Sequence, residues 1–192
     1  MPRLIDTAGA VIPNAWQLVP RTEAVPGAET ISSTAEPAPV SQRPVTLATA
    51  LAQPGTHLLV NAALWLSDKE ALLQSGKQVS VWLDSDQTAN LIAADLPQLP
   101  LVALNFPGFM DGRSYSTAVV LRKHYGYTGE IRAIGDVLRD QLFLMKRCGF
   151  TTFDLKDSVK LEDAQRAFKD FSGSHASTIE EPQPLFRRRS GG

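Results

Sequence analysis

The chain predicts an α/β fold built on a mainly parallel sheet with alternating helices, and three observations carry that prediction. Short apolar runs of strand length recur at intervals of roughly 20 to 30 residues: HLLV, VSVWL, LVALNF, IRAIG and TTFDL. Each gap between them holds a stretch with helical spacing of its apolar residues. A connection long enough to carry a helix is a crossover, and crossovers make neighbouring strands parallel. Two architectures satisfy this pattern, an open doubly wound sheet or a partial βα barrel, since five units are too few for a closed barrel of about eight.

The elements follow in order. Residues 1–19 read as an N-terminal β-hairpin, two apolar segments around a Thr7-Ala8-Gly9 turn. Residues 20–54 are rich in Pro, Ser, Thr, Ala and Glu, a composition that buries too little apolar surface to offset ordering entropy. They are expected to form a flexible insertion with one ordered turn near Val45 to Leu51. The α/β domain spans 55–175. It opens with HLLV running into a helix that Gly76 ends, then VSVWL closed by Asp84 and Asp86, then a short helix in TANLIAADLPQL. LVALNF, a glycine-rich loop, a helix, IRAIG, a second helix beginning after Gly135 and TTFDL complete the units, and a last helix is expected near 161–171. Residues 176–192 are a C-terminal tail, in which Leu185 and Phe186 precede three arginines. That tail is either a docking segment for an acidic partner or a solvated end.

Composition narrows the function. A length of 192 residues with 43% hydrophobic residues suits a globular protein with a real core. The formal net charge of -1 supplies no field of one sign, which argues against nucleic acid and against an acidic membrane as partners. No run approaches the roughly 18 apolar residues of a membrane helix, and no secretory signal opens the chain, so a cytoplasmic location is expected. A single cysteine, Cys148, and three scattered histidines offer no ligand set for zinc, haem or an iron–sulfur cluster. No metal site and no cofactor are therefore evident. Walker, GxSxG and GxGxxG motifs are all missing from the chain. The sequence leaves oligomeric state open.

The candidate site comes from the strand ends, because ligands of parallel sheets gather outside the carboxyl ends of the strands. The five runs end at Asn61, Asp84, Asn105, Gly135-Asp136 and Asp154, a polar or acidic rim. Any one of these residues could equally be a helix cap or turn former. Within the rim, Asp111, Arg113, Tyr115, Asp136 and Arg139 are the catalytic candidates, expected to form one cluster in which Arg113 and Asp136 could pair. In DGRSYS, Gly112, Ser114 and Ser116 are the cofactor-binding candidates, since free amides, two hydroxyls and the Arg113 guanidinium could hold a small oxyanion or phosphate. Asp111 could instead fill that helix end with its own carboxylate. On a helix starting at Gly135, Asp136, Asp140 and Arg147 would share a charged face, within about 40° at 100° per residue.

The segments LWLSDKEALL, VWLDSD, LPLVALNFPGFMDGRSYSTAVVLRKHYGYTGEIRAIGDVLRDQLFLMKRCGF and PQPLFRRR resemble a bacterial family of uncharacterised proteins, the domain of unknown function 934 family. Its members are often labelled "oxidoreductase probably involved in sulfite reduction". The likeness covers about 3–16 and 57–189. It implies association with assimilatory sulfite reduction and with the sulfite reductase haemoprotein, and it supplies no established activity or catalytic residue. Whether the protein is an enzyme stays open on this basis, the oxidoreductase label being an inference from gene neighbourhood. Where the family motif reads DGRGYS, this chain has Ser114, which adds a hydroxyl and removes freedom for positive φ. Two functions compete: an accessory partner of the sulfite reductase haemoprotein, or a small enzyme acting on an oxyanion substrate at the rim.

Overall fold

A computed structural model describes residues 3–24, 42–168, 177–179, 182–183 and 187. The chain divides into two compact units, Trp16–Val79 and the combination of Met1–Ala15 with Ser80–Gly192. The first strand, β1 (Leu4–Asp6), precedes a tight turn in which the Asp6 carboxylate accepts from the amides of Ala8 and Ala10. The returning arm makes a single antiparallel bridge, Val11 to Ile5, so the expected hairpin is rudimentary. Residues 17–18 do not take part in it.

In the smaller unit, β2 (Gln17–Leu18) pairs in parallel with β5 (His57–Asn61), Gln17 opposite Leu58. Between them in sequence, β3 (Thr22–Ala24) and β4 (Gln42–Pro44) form an antiparallel ribbon. Helix α1 (Leu47–Leu51) follows, capped by the Thr46 hydroxyl on the Thr49 amide. Order in 42–51 thus covers the predicted turn; residues 25–41 of the proposed insertion lie outside the described residues. Helix α2 (Ala62–Gln74) starts at Asn61, whose buried side chain accepts from the Ala63 amide, and stops at Ser75 and the left-handed Gly76. Asn61 therefore acts as a cap, the alternative reading for a strand-end residue.

The larger unit orders its strands β1-β9-β8-β7-β6, where β6 is Gln78–Leu83, β7 Leu101–Phe106, β8 Glu130–Gly135 and β9 Thr152–Asp154. β6 to β9 run parallel, and β1 closes the edge antiparallel to β9. The fold is α/β with a mainly parallel sheet, as the spacing of apolar runs predicts. The β6–β7 crossover is a 3-10 stretch, Ala89–Gln98, in which Pro97 has no amide to continue a regular ladder. The β7–β8 and β8–β9 crossovers are helical, through α3 (Arg113–Lys123) and α4 (Leu142–Cys148), and α5 (Leu161–Ala167) follows β9.

Register sorts the strand residues onto two faces. Val81, Leu83, Val102, Leu104, Phe106, Ile131, Ala133, Phe153 and Ile5 share one face and are all buried. Phe106 meets Tyr115 of α3 and Phe150 after α4, with ring centroids 5.1 and 5.7 Å apart, so this face carries the helices. The opposite face is polar by comparison. Arg132, 3% exposed, pairs with Glu130 at 2.8 Å and donates to Asn14 Oδ1 at 2.9 Å, which ties the N-terminal segment to the sheet. Asp84 and Asn105 lie on this same face at the strand ends. No helix among the described residues is long and apolar enough to cross a membrane.

Candidate functional site

The rim of the larger unit is assembled from the loops after β6, β7, β8 and β9. At the first of these the Asp84 carboxylate accepts from the Ser85 amide and from Asn105 Nδ2, both at 2.9 Å, while the Asp84 amide donates to Gln87 Oε1 at 2.8 Å. Asp84 and Asn105 thus bind each other across adjacent parallel strands, each satisfying the polar group that the other exposes.

The loop 107–112 and the start of α3 form the second part. Asp111 Oδ1 accepts from the Arg113 amide at 3.2 Å and from Arg113 Nε at 3.0 Å, while Oδ2 accepts from Nη2 at 2.6 Å. The same Nη2 donates to Ser85 Oγ at 2.9 Å. The guanidinium and Ser85 hold the Asp111 carboxyl well below the usual carboxylate range, and Asp111 in turn raises the Arg113 pKa. Asp111 therefore occupies the amino end of α3 with its own carboxylate, leaving no ready-made oxyanion cradle in DGRSYS. Ser114 is buried and donates to the Asn105 carbonyl at 2.6 Å, and Ser116 is exposed on the helix. Gly112 has a negative φ of -94° and Ser114 lies within the helix, so serine at position 114 violates no backbone requirement.

Tyr115 leans back over Gly112, where a Cβ would meet its ring at 3.5 Å, and packs edge-on against Phe106. Burial pushes its hydroxyl up to about 12, with smaller contributions from Cys148 and Asp140. Tyr115 thus points toward α4 and away from Arg113's partners.

The third part lies after β8 and β9. Gly135 takes a φ of +91°, and a Cβ there would stand 2.4 Å from Asn105 Oδ1 and 2.5 Å from the Phe106 carbonyl oxygen. The Asp136 amide donates to that carbonyl at 2.7 Å, and the Val137 amide returns to the Gly135 carbonyl. The Asp136 carboxylate forms an ion pair with Lys156, whose amide donates to the Val137 carbonyl. Regular helix does not begin until after Leu138, which is extended at φ -107° and ψ 159° and donates its amide to Gln141 Oε1. The expected charged face of Asp136, Asp140 and Arg147 is therefore corrected: the turn at Gly135 places Asp136 outside the helix. Arg139 is exposed and its Nε reaches the Asp163 carbonyl at 3.4 Å. Asp154 is half-buried at the end of β9, and desolvation raises its pKa against the opposing effect of Arg132 and Arg3.

The structure thus joins Asp111 to Arg113 and brings both to the Asp84–Asn105 pair through Ser85; it joins Asp136 to Lys156. Arg113 and Asp136, offered as a clamp, instead engage these other partners. Ser85 and Lys156 escaped the sequence reading, although both stand within two residues of a predicted strand end. Among the described residues no three His, Cys, Asp or Glu side chains are grouped to hold a metal ion. Cys148 is half-buried, and burial raises its thiol pKa. A cavity of about 360 Å³ lined by Leu96, Leu99, Tyr125 and Tyr127 opens at the amino ends of β7 and β8, away from the rim. Most of the predicted tail segment, including Leu185 and Phe186, lies outside the described residues.

A family model described as "Bacterial protein of unknown function (DUF934)" matches residues 80–186. The match begins where the chain enters the second stretch of the larger unit, and it includes every strand end of the rim described above. No curated protein and no solved structure matches the chain.

Proposed function

The chain belongs to the domain of unknown function 934 family, and from that premise we propose that it is a cytoplasmic accessory protein of assimilatory sulfite reduction, acting as a partner of the sulfite reductase haemoprotein and carrying no redox cofactor of its own. The association with sulfite reduction follows from the family resemblance. The observation that carries an accessory role over a catalytic one is the mutual engagement of the rim's charges. Arg113 binds Asp111 and Ser85, Asp84 binds Asn105 and Asp136 binds Lys156. Catalytic acids and bases work from perturbed and available protonation states. Asp111 is held ionised by its partner, and an oxyanion seeking Arg113 would have to displace that carboxylate.

The test is co-purification and growth. The full-length protein, mixed with the purified haemoprotein, is expected to co-elute with it in gel filtration. A deletion strain is expected to grow poorly on sulfate and normally on cysteine. Asp136→Asn and Arg139→Ala should support growth on sulfate nearly as well as Lys69→Ala. Failure to co-elute would remove the accessory reading. Loss of growth in both rim variants with unchanged melting temperature would turn the rim into a reaction centre, and visible absorption from a bound flavin in the purified protein would make it a redox one.

A further inference from the structure

Phe109 and Met110 sit in the loop 107–112 with 53% and 90% of their surface exposed. The loop that presents them is braced. The Asp111 amide closes a turn on the Gly108 carbonyl at 3.0 Å, and the Asp111 carboxylate is clamped by Arg113, which is itself tied to Ser85. Two large apolar side chains on a fixed base are organised for contact, since little conformational freedom remains to be lost when they are covered. Phenylalanine and methionine are also types enriched at protein interfaces, methionine adapting its shape to the pocket it enters.

The surroundings specify what could cover them. Asp84, Asp86 and Asp111 all act electrostatically on the guanidinium of Arg113, so three carboxylates stand near the base of the loop. We propose that Phe109 and Met110 are the docking tip for a partner protein that offers an apolar cleft bordered by arginine and lysine. The proposal rests on the accessory reading above and names the surface through which it would operate. An anionic membrane is disfavoured because the same carboxylates would face lipid phosphates. A second copy is disfavoured because a two-fold contact through the tip would oppose two acidic bases.

Titration calorimetry of the full-length protein against the purified sulfite reductase haemoprotein tests this, using wild type, Phe109→Ser/Met110→Ser and Asp86→Lys. The substituted side chains are exposed, so circular dichroism should be unchanged. The double variant is expected to bind about tenfold or more weakly. Asp86→Lys should weaken binding at low salt and match wild type near about 1 M salt, where screening acts over about 3 Å. If wild type binds and the double variant binds as well, the tip is wrong while the accessory reading stands. If wild type does not bind, that reading falls and the proposal with it. Self-association in sedimentation, or binding to vesicles of phosphatidylserine, that is lost in the double variant would assign the tip to a second copy or to lipid and overturn the proposal.

Discussion

Replacing Gly135 by alanine should be among the more damaging single-methyl changes in the larger unit. Two costs are separable. The positive φ of 91° strains any L side chain, by about 1–2 kcal/mol. The added Cβ would also lie 2.5 Å from the Phe106 carbonyl oxygen and 2.4 Å from Asn105 Oδ1. Asn105 could swing aside only by giving up its bond to Asp84, and the carbonyl is fixed by the β7–β8 ladder and by the Asp136 amide. Overpacking of this kind costs a further 1–3 kcal/mol, roughly. Gly126 is the control, because its φ is +63° and nothing lies within 4 Å of its hypothetical Cβ. Gly126→Ala should therefore show the strain alone, about 1–2 kcal/mol, and Gly135→Ala about 2–5 kcal/mol. At about 2–4 °C per kcal/mol for a chain of this size, the melting temperatures should be clearly separated. Urea and thermal unfolding of both variants measure the difference. Values within about 0.5 kcal/mol of each other would refute the close approach of β8 to the end of β7.

Arg132→Met should cost about 2–4 kcal/mol in urea unfolding, because Glu130 and Asn14 lose their shared partner at a site where the arginine side chain is only 4% exposed. Asp111→Asn keeps a side-chain oxygen for the Arg113 amide but removes the depressed carboxyl. Because that pKa is lowered in the folded state, its stabilisation is present above pH about 4 and lost in stronger acid, so the variant should lose less stability than wild type as pH falls below about 4. Tyr115→Phe addresses the other limb. Its raised pKa stabilises the fold fully below the ordinary tyrosine value of about 10 and ceases to do so as pH rises through about 12, so the variant should lose less stability than wild type across that interval. Cys148 should react with an aromatic disulfide reagent at least about tenfold more slowly in the native protein than in urea.

The alternation of strand and helix is legible because the strands buried on the sheet are continuous apolar runs, and each run maps onto β5 to β9 within one residue at either end. What periodicity could not reveal was backbone detail. A helix was expected from Gly135, yet Asp136 to Leu138 form a turn, because Gly135 takes a positive φ and the Gln141 side chain captures the Leu138 amide. Nor does a hydrophobic pattern distinguish α-helix from the 3-10 stretch at Ala89–Gln98. The turn at Thr7-Ala8-Gly9 is the local signal that places residues 17–18 in a hairpin. Their partner is Leu58 and its neighbour in β5, some forty residues away, which no local signal encodes.

The charge pairing at the rim follows from the same long-range geometry. β7 and β8 are indeed neighbours, so the expectation that the loops carrying Arg113 and Asp136 adjoin one another was sound in topology. Adjacency nevertheless separates these charges. The ends of β7 and β8 approach through backbone, Gly135 lying against the Phe106 carbonyl and the Asn105 amide, with no room for even a methyl group between them. Each charged side chain then engages the strand on its other flank, Arg113 reaching Ser85 after β6 and Asp136 reaching Lys156 after β9. A glycine that serves as the point of contact between two strand ends thus divides the polar rim into two networks. A sequence displays the glycine and the charges, but only the strand order shows on which side of the glycine each charge finds its partner.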